Sequence, residues 1–273
     1  MTLFYRSAVA AATLICLPLS AEQPALPLWE AGVVGINVNQ LAYPGSDQLV
    51  RRNFVLPYLV YRGDILRADR DNVGLRAFKT DSLELDVGFA GSLGSSDTDI
   101  AVRDGMKNLG TLIEAGPRLR WTLSEDVFGA RVRADFPLRA VFDLSNSLNY
   151  NGVSFEPGLY ADITTAKGTF YALGASAVFG SEKLSDYFYQ VSAADVTPNR
   201  PLFNAQGGLI ALRGSVSVGK RFTPKWRGFG FGRYESTQGA KNADSPLLVE
   251  RSGWSFGVGV TYIWAESAQK VAY

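Results

Sequence analysis

The sequence predicts an all-β protein: a transmembrane antiparallel up-and-down β-barrel, of twelve strands by preference, with ten as the alternative. Three observations predict it. Beyond residue 21 the segments alternate apolar and polar residues with period 2. The clearest run is about eleven residues long, against roughly five or six for a typical globular strand. Residues 1–21 read as an export leader.

In the leader, Arg6 supplies the positive start, Ser7 to Leu19 is mostly apolar, and Leu19-Ser20-Ala21 offers a cleavage site before Glu22. The apolar run is short for a membrane helix and Pro18 lies near its end, so cleavage is favoured over an anchor. Ile15 stands before Cys16 where a lipoprotein signal wants a small residue. The expected mature domain is 22–273, a barrel with a short polar tail over 265–273.

The segment 254–264 shows the alternation best. Trp254, Phe256, Val258, Val260, Tyr262 and Trp264 share one face; Ser255, Gly257, Gly259 and Thr261 share the other. A tilted strand of this length crosses a bilayer, and the tryptophans lie where aromatic girdles belong. Further segments repeat the pattern. Leu83, Leu85, Val87 and Phe89 oppose Glu84 and Asp86. Ile113, Ala115, Pro117, Leu119 and Trp121 oppose Glu114, Arg118 and Arg120. Phe128, Ala130, Val132, Ala134, Phe136 and Leu138 oppose Arg131, Arg133, Asp135 and Arg139. Val153, Phe155, Leu159, Ala161 and Ile163 oppose Ser154, Glu156, Tyr160 and Asp162. Ile210, Leu212, Val216, Val218 and Phe222 oppose Arg213, Ser215, Ser217 and Arg221. Charges of both signs thus fall on one face, where a polar lumen lets them pair. In 225–237, Phe229 and Phe231 share parity with Arg227 and Arg233, so either the lumen is locally aromatic or a bulge shifts the register.

Short turns are expected at Arg62-Gly63-Asp64, Lys79 to Ser82, Ser124-Glu125-Asp126, Thr165 to Gly168 and Thr223-Pro224-Lys225. Long loops are expected at about 40–51, 93–109, 140–151, 181–207 and 238–250. The two sizes alternate if 64–70 and 73–79 are short strands joined near Asp71-Asn72, which makes twelve. Both termini then lie in the periplasm. Trp264 or Tyr273 is the terminal aromatic available to the assembly machinery.

At this point the sequence resembles the MipA/OmpV family, the MltA-interacting scaffold proteins of Gram-negative outer membranes. Four blocks carry the resemblance. The first is Ala42-Tyr43-Pro44-Gly45-Ser46-Asp47, followed by Val55 to Arg62. The second is Asn72 to Leu75 with Leu83 to Gly88. The third is Asp186-Tyr187-Phe188-Tyr189-Gln190-Val191, leading to Asp195-Val196-Thr197. The fourth is Asp244-Ser245-Pro246-Leu247-Leu248-Val249. The Tyr43 to Asp47 and Ser245 to Val249 blocks are the most specific; Pro-Gly and Ser-Pro alone are ordinary turn punctuation, and the joint order and spacing of the blocks carry the weight. The resemblance implies location in the outer membrane, embedded in its lipid bilayer. It also implies a non-enzymatic scaffold linking a murein lytic transglycosylase to a murein synthase. Other members are described as adhesins or porin-like proteins. The tail after Trp264 departs from the family's usual ending.

The composition restricts chemistry. No histidine occurs in 273 residues, which removes Ser-His-Asp triads, Cys-His dyads and His-ligated metals. The lone Cys16 lies in the leader, so the mature chain lacks a thiol. Lys+Arg 27 against Asp+Glu 26 lacks the basic excess of a nucleic-acid partner. The pairs Glu84/Asp86 and Glu125/Asp126 read as a lumenal pair and a turn rather than acid–base machinery. Ser95, Ser96, Asp97, Thr98, Asp99 and Asp104 offer oxygens for a calcium loop but read as a solvated loop. Arg62-Gly63-Asp64, an integrin-type tripeptide, falls in an expected turn. No catalytic, cofactor-binding or metal-binding residue is expected. A small-solute channel and a surface adhesin are the alternative functions.

Overall fold

A computed structural model describes residues 26–63, 66–68, 73–92, 94 and 100–271. The expected leader, Asp64, Asp71-Asn72, the loop residues 95–99 and Tyr273 lie outside the described residues.

Twelve antiparallel strands form one closed sheet. They are β1 Trp29–Leu41, β2 Leu49–Arg62, β3 Leu66–Ala68, β4 Val73–Lys79, β5 Leu83–Ser92 and β6 Leu112–Val127. Next come β7 Ala130–Asp143, β8 in two halves (Asn149–Phe155 and Gly158–Thr164) and β9 Thr169–Gly180. Then follow β10 Gly208–Arg221, β11 Trp226–Ser236 and β12 Ser252–Glu266. Each strand pairs with its sequence neighbour, and β12 pairs with β1 to close the cylinder. Glu156-Pro157 interrupts β8, because proline cannot donate to a ladder; both halves still lie between β7 and β9. A closed cylinder leaves no long edge with unpaired amides, as lipid requires.

Period 2 sorts the faces. In β12, Trp254, Phe256, Val258, Val260 and Trp264 are exposed on the outside, while Ser255, Gly257, Gly259 and Thr261 are covered from within. Trp226 stacks near Tyr262 at one rim and Tyr234 near Trp254 at the other, with ring centroids 4.8 and 5.1 Å apart. These pairs bound an apolar belt, so the barrel spans a membrane.

β11 resolves to its aromatic alternative. Its pairing with β10 and β12 runs from Trp226 to Ser236 without a register shift. Phe229 and Phe231 therefore point inward and lie over Gly259 and Gly257; a Cβ built on those glycines would meet the rings at 2.4 and 2.6 Å. The small inward residues of β12 make room for the rings of β11.

Several boundaries differ from the sequence reading. The turn expected at 124–126 lies at Phe128-Gly129, both with positive φ, and Asp126 accepts the Gly129 N–H at 2.7 Å. Phe128 is thus an exposed tip rather than part of a strand face. The loop expected over 140–151 shrinks to 144–148, because β7 runs on to Asp143 and β8 starts at Asn149. Ile210 leaves the outer face: a register shift opposite Val178 and Phe179 makes it a bulged residue, and it is buried in the loop core. The tail is not a free extension. Ala265 and Glu266 belong to β12, and Lys270–Val271 folds back to pair with Leu26–Pro27.

Candidate functional site

The lumen is lined by charges that the strands bring together in cross-strand pairs. Asp86 stands directly opposite Arg118, and Arg120 opposite Asp135. Their side chains meet at 2.7 and 3.1 Å. Arg133 joins Asp135 to Asp162, reaching Asp162 at 2.9 Å, and lies over the Tyr160 ring at 4.5 Å. Arg131 reaches Asp162 at 3.4 Å. Arg213 bridges Glu156 at 3.0 Å and Glu235 at 2.7 Å, with Arg233 on Glu235 at 3.3 Å. Arg139 approaches Glu114 at 3.7 Å. Burying such charges is costly unless they are paired, and here each carboxylate faces at least one guanidinium.

Most of the lumenal residues named from sequence join this network; Arg221 does not, lying exposed at the short-turn end. Sequence reasoning missed a second cluster. Glu30 is fully buried between Arg62 at 3.0 Å and Arg227 at 2.7 Å, and Arg227 also donates to the Tyr58 hydroxyl at 3.0 Å. Inward parity alone could have grouped them, but not paired β1, β2 and β11. Arg62 is therefore an internal ion-pair partner and not the first member of a displayed tripeptide. Glu84 is held by Arg76 at 2.8 Å. Arg118, Arg120, Arg133, Arg139, Glu156 and Asp162 surround a cavity of about 290 Å³.

The described parts of the long loops do not splay into solvent. They interlock as a cap over one end, with an apolar core of Tyr43, Ile100, Leu109, Leu184, Tyr189 and Ile210. Helix α1, Glu182–Tyr189, starts at Ser181, whose Oγ accepts from the Leu184 N–H at 3.4 Å. Its end carries Tyr187, Phe188 and Tyr189 into the cap. The Tyr43 hydroxyl donates to the Leu247 carbonyl at 2.6 Å, and the Tyr189 hydroxyl to that of Pro44 at 2.9 Å. The Ser245 hydroxyl donates to the Tyr189 carbonyl at 2.8 Å. Arg103 donates to the Phe188 carbonyl, and Arg200 to those of Val102 and Asp104, each at 2.9 Å. Gly45, with φ of 90°, accepts the N–H groups of Val249 and Glu250. Burial pushes the Tyr43 hydroxyl up to about 12, with Arg103 pulling the other way. Burial likewise raises Tyr187 and Tyr189.

Three of the four blocks that carry the resemblance meet in this cap: 42–47, 186–191 and 244–249. The family model described as MltA-interacting protein MipA matches residues 33–264. The chain belongs to the MipA family. The match runs from within β1 to Trp264 in β12 and spans the loops of the cap. Among curated proteins none matches the chain. Among solved structures, an outer membrane channel from Pseudomonas putida F1 is similar at 12% identity, over 91% of this chain and 100% of that one, with a TM-score of 0.38. A loop-deletion mutant of OmpT, an outer membrane protein of Vibrio cholerae, is similar at 10% identity, over 87% and 100%, with a TM-score of 0.28. The MipA-family membership and the apolar belt together make this an outer-membrane barrel.

Proposed function

We propose that this MipA-family protein is a non-enzymatic scaffold that ties the outer membrane to peptidoglycan-remodelling enzymes. Its partners on this reading are a murein lytic transglycosylase and a murein synthase. The leader 1–21 is removed on export, both termini face the periplasm, and the cap faces outward. The observation that carries the reading is the interlocked cap over a lumen whose charges are paired. Such an interior favours a rigid plug over a conduit, leaving the barrel its surfaces as a working part. The family description, an interacting protein, points the same way.

The lumenal cavity of about 290 Å³ favours a second reading, a small-solute channel. One experiment separates them. Planar-bilayer conductance and capture of periplasmic murein enzymes are recorded on the same purified preparation. The scaffold gives little steady conductance and recovers a transglycosylase. Large, stable, solute-selective currents with no recoverable murein enzyme overturn it.

A further inference from the structure

Near its cap end one sector of the barrel carries polar side chains on its outer face. Because β1 and β2 pair without a register shift from Trp29↔Tyr61 to Leu41↔Leu49, residues opposite one another share a face. Asn37 stands opposite Val258 of β12, and Asn39 opposite Phe256; both partners lie on the outer surface, with Val258 62% exposed. Asn37, Asn39, Arg51 and Asn53 therefore face outward, while Val34, Ile36, Val38, Phe54 and Leu56 face the lumen. Glu30, on the same parity as Ile36, confirms the assignment through its lumenal pairs with Arg62 and Arg227.

The four outward polar side chains form one directed chain. Arg51 Nε donates to Asn39 Oδ1 at 2.7 Å, Asn39 Nδ2 to Asn37 Oδ1 at 2.8 Å, and Asn37 Nδ2 to Asn53 Oδ1 at 2.7 Å. Asn39, at the centre of the relay, is only 4% exposed, while Arg51 and Asn53 at its ends are exposed. Arg51 has no carboxylate partner among the described residues, unlike the lumenal arginines whose ion pairs close the network. Its two terminal nitrogens thus lack an acidic acceptor among the described residues. Apolar surface flanks the chain: Leu49, Val55 and Phe256 are all exposed on the outer face.

Depth decides what such a group meets. Arg51 lies two residues, or about 7 Å along the strand, from Leu49 at the cap end of β2, and Asn39 opposite it lies two residues from Leu41 at the cap end of β1. An arginine at mid-bilayer costs roughly 2–4 kcal/mol, but near the interface only about 0–1. From this depth near the cap end the long guanidinium side chain can reach toward headgroup phosphates while its stem stays in apolar surroundings. A guanidinium presents paired donors that match a phosphate, and its Nε is already committed to Asn39, which fixes its plane.

We propose that Arg51, oriented by the Asn39–Asn37–Asn53 relay, is a lipid-facing site for the phosphate of a lipid headgroup in the leaflet at the cap end. Leu49, Val55 and Phe256 receive the acyl chains beside it. The site lies outside the lumen and does not depend on whether the barrel is a scaffold or a channel.

The test is native mass spectrometry of the full barrel titrated with phosphatidic acid, with the diacylglycerol of the same acyl chains, and with inorganic phosphate. Arg51→Gln keeps a donor for Asn39 and removes the charge, and Asn39→Ala removes the relay. Heat-modifiable gel mobility checks that each variant is folded. The expected result is retained phosphatidic acid, weakened about tenfold or more by Arg51→Gln and less by Asn39→Ala, with diacylglycerol unaffected by either change. Should Arg51→Gln fail to fold, Asn39→Ala together with Arg51→Lys, which keeps charge without the planar fork, carries the same expectation of weaker phosphatidic acid. Equal retention by wild type and the folded variants overturns the proposal. So does displacement of the lipid by equimolar inorganic phosphate, which marks a free-anion site. Disulfide-linked dimers of Arg51→Cys at native lipid content also overturn it, because the patch is then covered by a second copy.

Discussion

Tyr43 and Tyr189 meet edge to face in the cap, with ring centroids 6.5 Å apart and planes at 72°. Each hydroxyl reaches past the contact into another loop, Tyr43 to Leu247 and Tyr189 to Pro44. Loops separated by more than a hundred residues are thereby locked at one point. Tyr189→Phe keeps the ring and strands the Pro44 carbonyl, at a cost of about 1–3 kcal/mol for an unsatisfied buried acceptor. Amide hydrogen exchange should rise in 42–48 and 181–207 together, while the strands keep their protection. Faster exchange confined to 181–207 would show that the loops are not coupled through this pair.

Alkali should loosen the same cap. An unfolded tyrosine ionises near 10, whereas the Tyr43 hydroxyl is held up to about 12 by burial. The folded state therefore binds the proton more tightly. That contribution to stability is fully present below pH 10 and is lost as pH rises toward about 12. Tyr187 and Tyr189 are raised by the same cause and act in the same direction. Tyrosinate absorbance followed alongside exchange in the cap should show the loops opening across this window before the barrel does.

The Arg131–Asp162–Arg133–Asp135–Arg120 chain predicts a non-additive pair of substitutions. Arg133→Ala leaves Asp162 with Arg131 and Asp135 with Arg120. Its cost should fall below the roughly 3–5 kcal/mol of a buried charge with no partner. Arg131→Ala added to it strands Asp162, and the double variant should lose more than the two singles summed. Urea unfolding in lipid vesicles measures this. A strictly additive pair would mean that water already screens these charges.

The lipid-facing and lumenal sides of β12 should both resist substitution, for different reasons. Val258→Arg places a charge toward the lipid core and should cost roughly 2–4 kcal/mol. Gly259→Ala adds one methyl on the lumenal side, where its Cβ meets the Phe229 ring. It should destabilise the barrel, and Phe229→Ala in the same chain should restore part of the loss. Refolding yield and unfolding midpoints check both. A harmless Val258→Arg would mean that the faces are assigned one residue out of register.

Much of this fold is written locally. Ser255, Gly257, Gly259 and Thr261 alternate with large apolar residues, and the pattern names the strand and its rims, though the strand runs on at both ends, Ser252–Glu266. Alternation tells which residues share a face, but not which face looks outward. Val34, Ile36 and Val38 alternate with Asn37 and Asn39 as regularly as any segment, yet the asparagines face lipid. Only the pairing with Phe256 and Val258 decides it. The lumenal arginines of β6 and β7 were legible because their acidic partners lie on adjacent strands. Glu30 and Arg227 were not, since their contact crosses most of the sequence. The cap was invisible for the same reason: its loops read as turn residues, and their common core exists only once the cylinder closes.

The terminal clasp supplies the last prediction. Leu26–Pro27 pairs with Lys270–Val271, the Leu28 N–H donates to the Gln269 carbonyl at 2.9 Å, and Arg62 donates to the Pro27 carbonyl at 2.7 Å. The tail therefore covers the end of β1 beside the buried Glu30. This end of the barrel, opposite the cap, is where a scaffold would present itself to periplasmic enzymes. Deleting 267–273 removes the clasp but leaves β12 through Glu266 in place. The barrel should keep its heat-modifiable band, because the β12–β1 ladder closes without the tail. Capture of a murein transglycosylase should fall, while bilayer conductance stays low. Replacing Lys270 and Val271 with glycines keeps the length and weakens the pairing, so it separates the clasp from the mere presence of a tail. Full capture by both variants would place the docking surface on the short turns instead; rising conductance would show that the clasp gates the lumen.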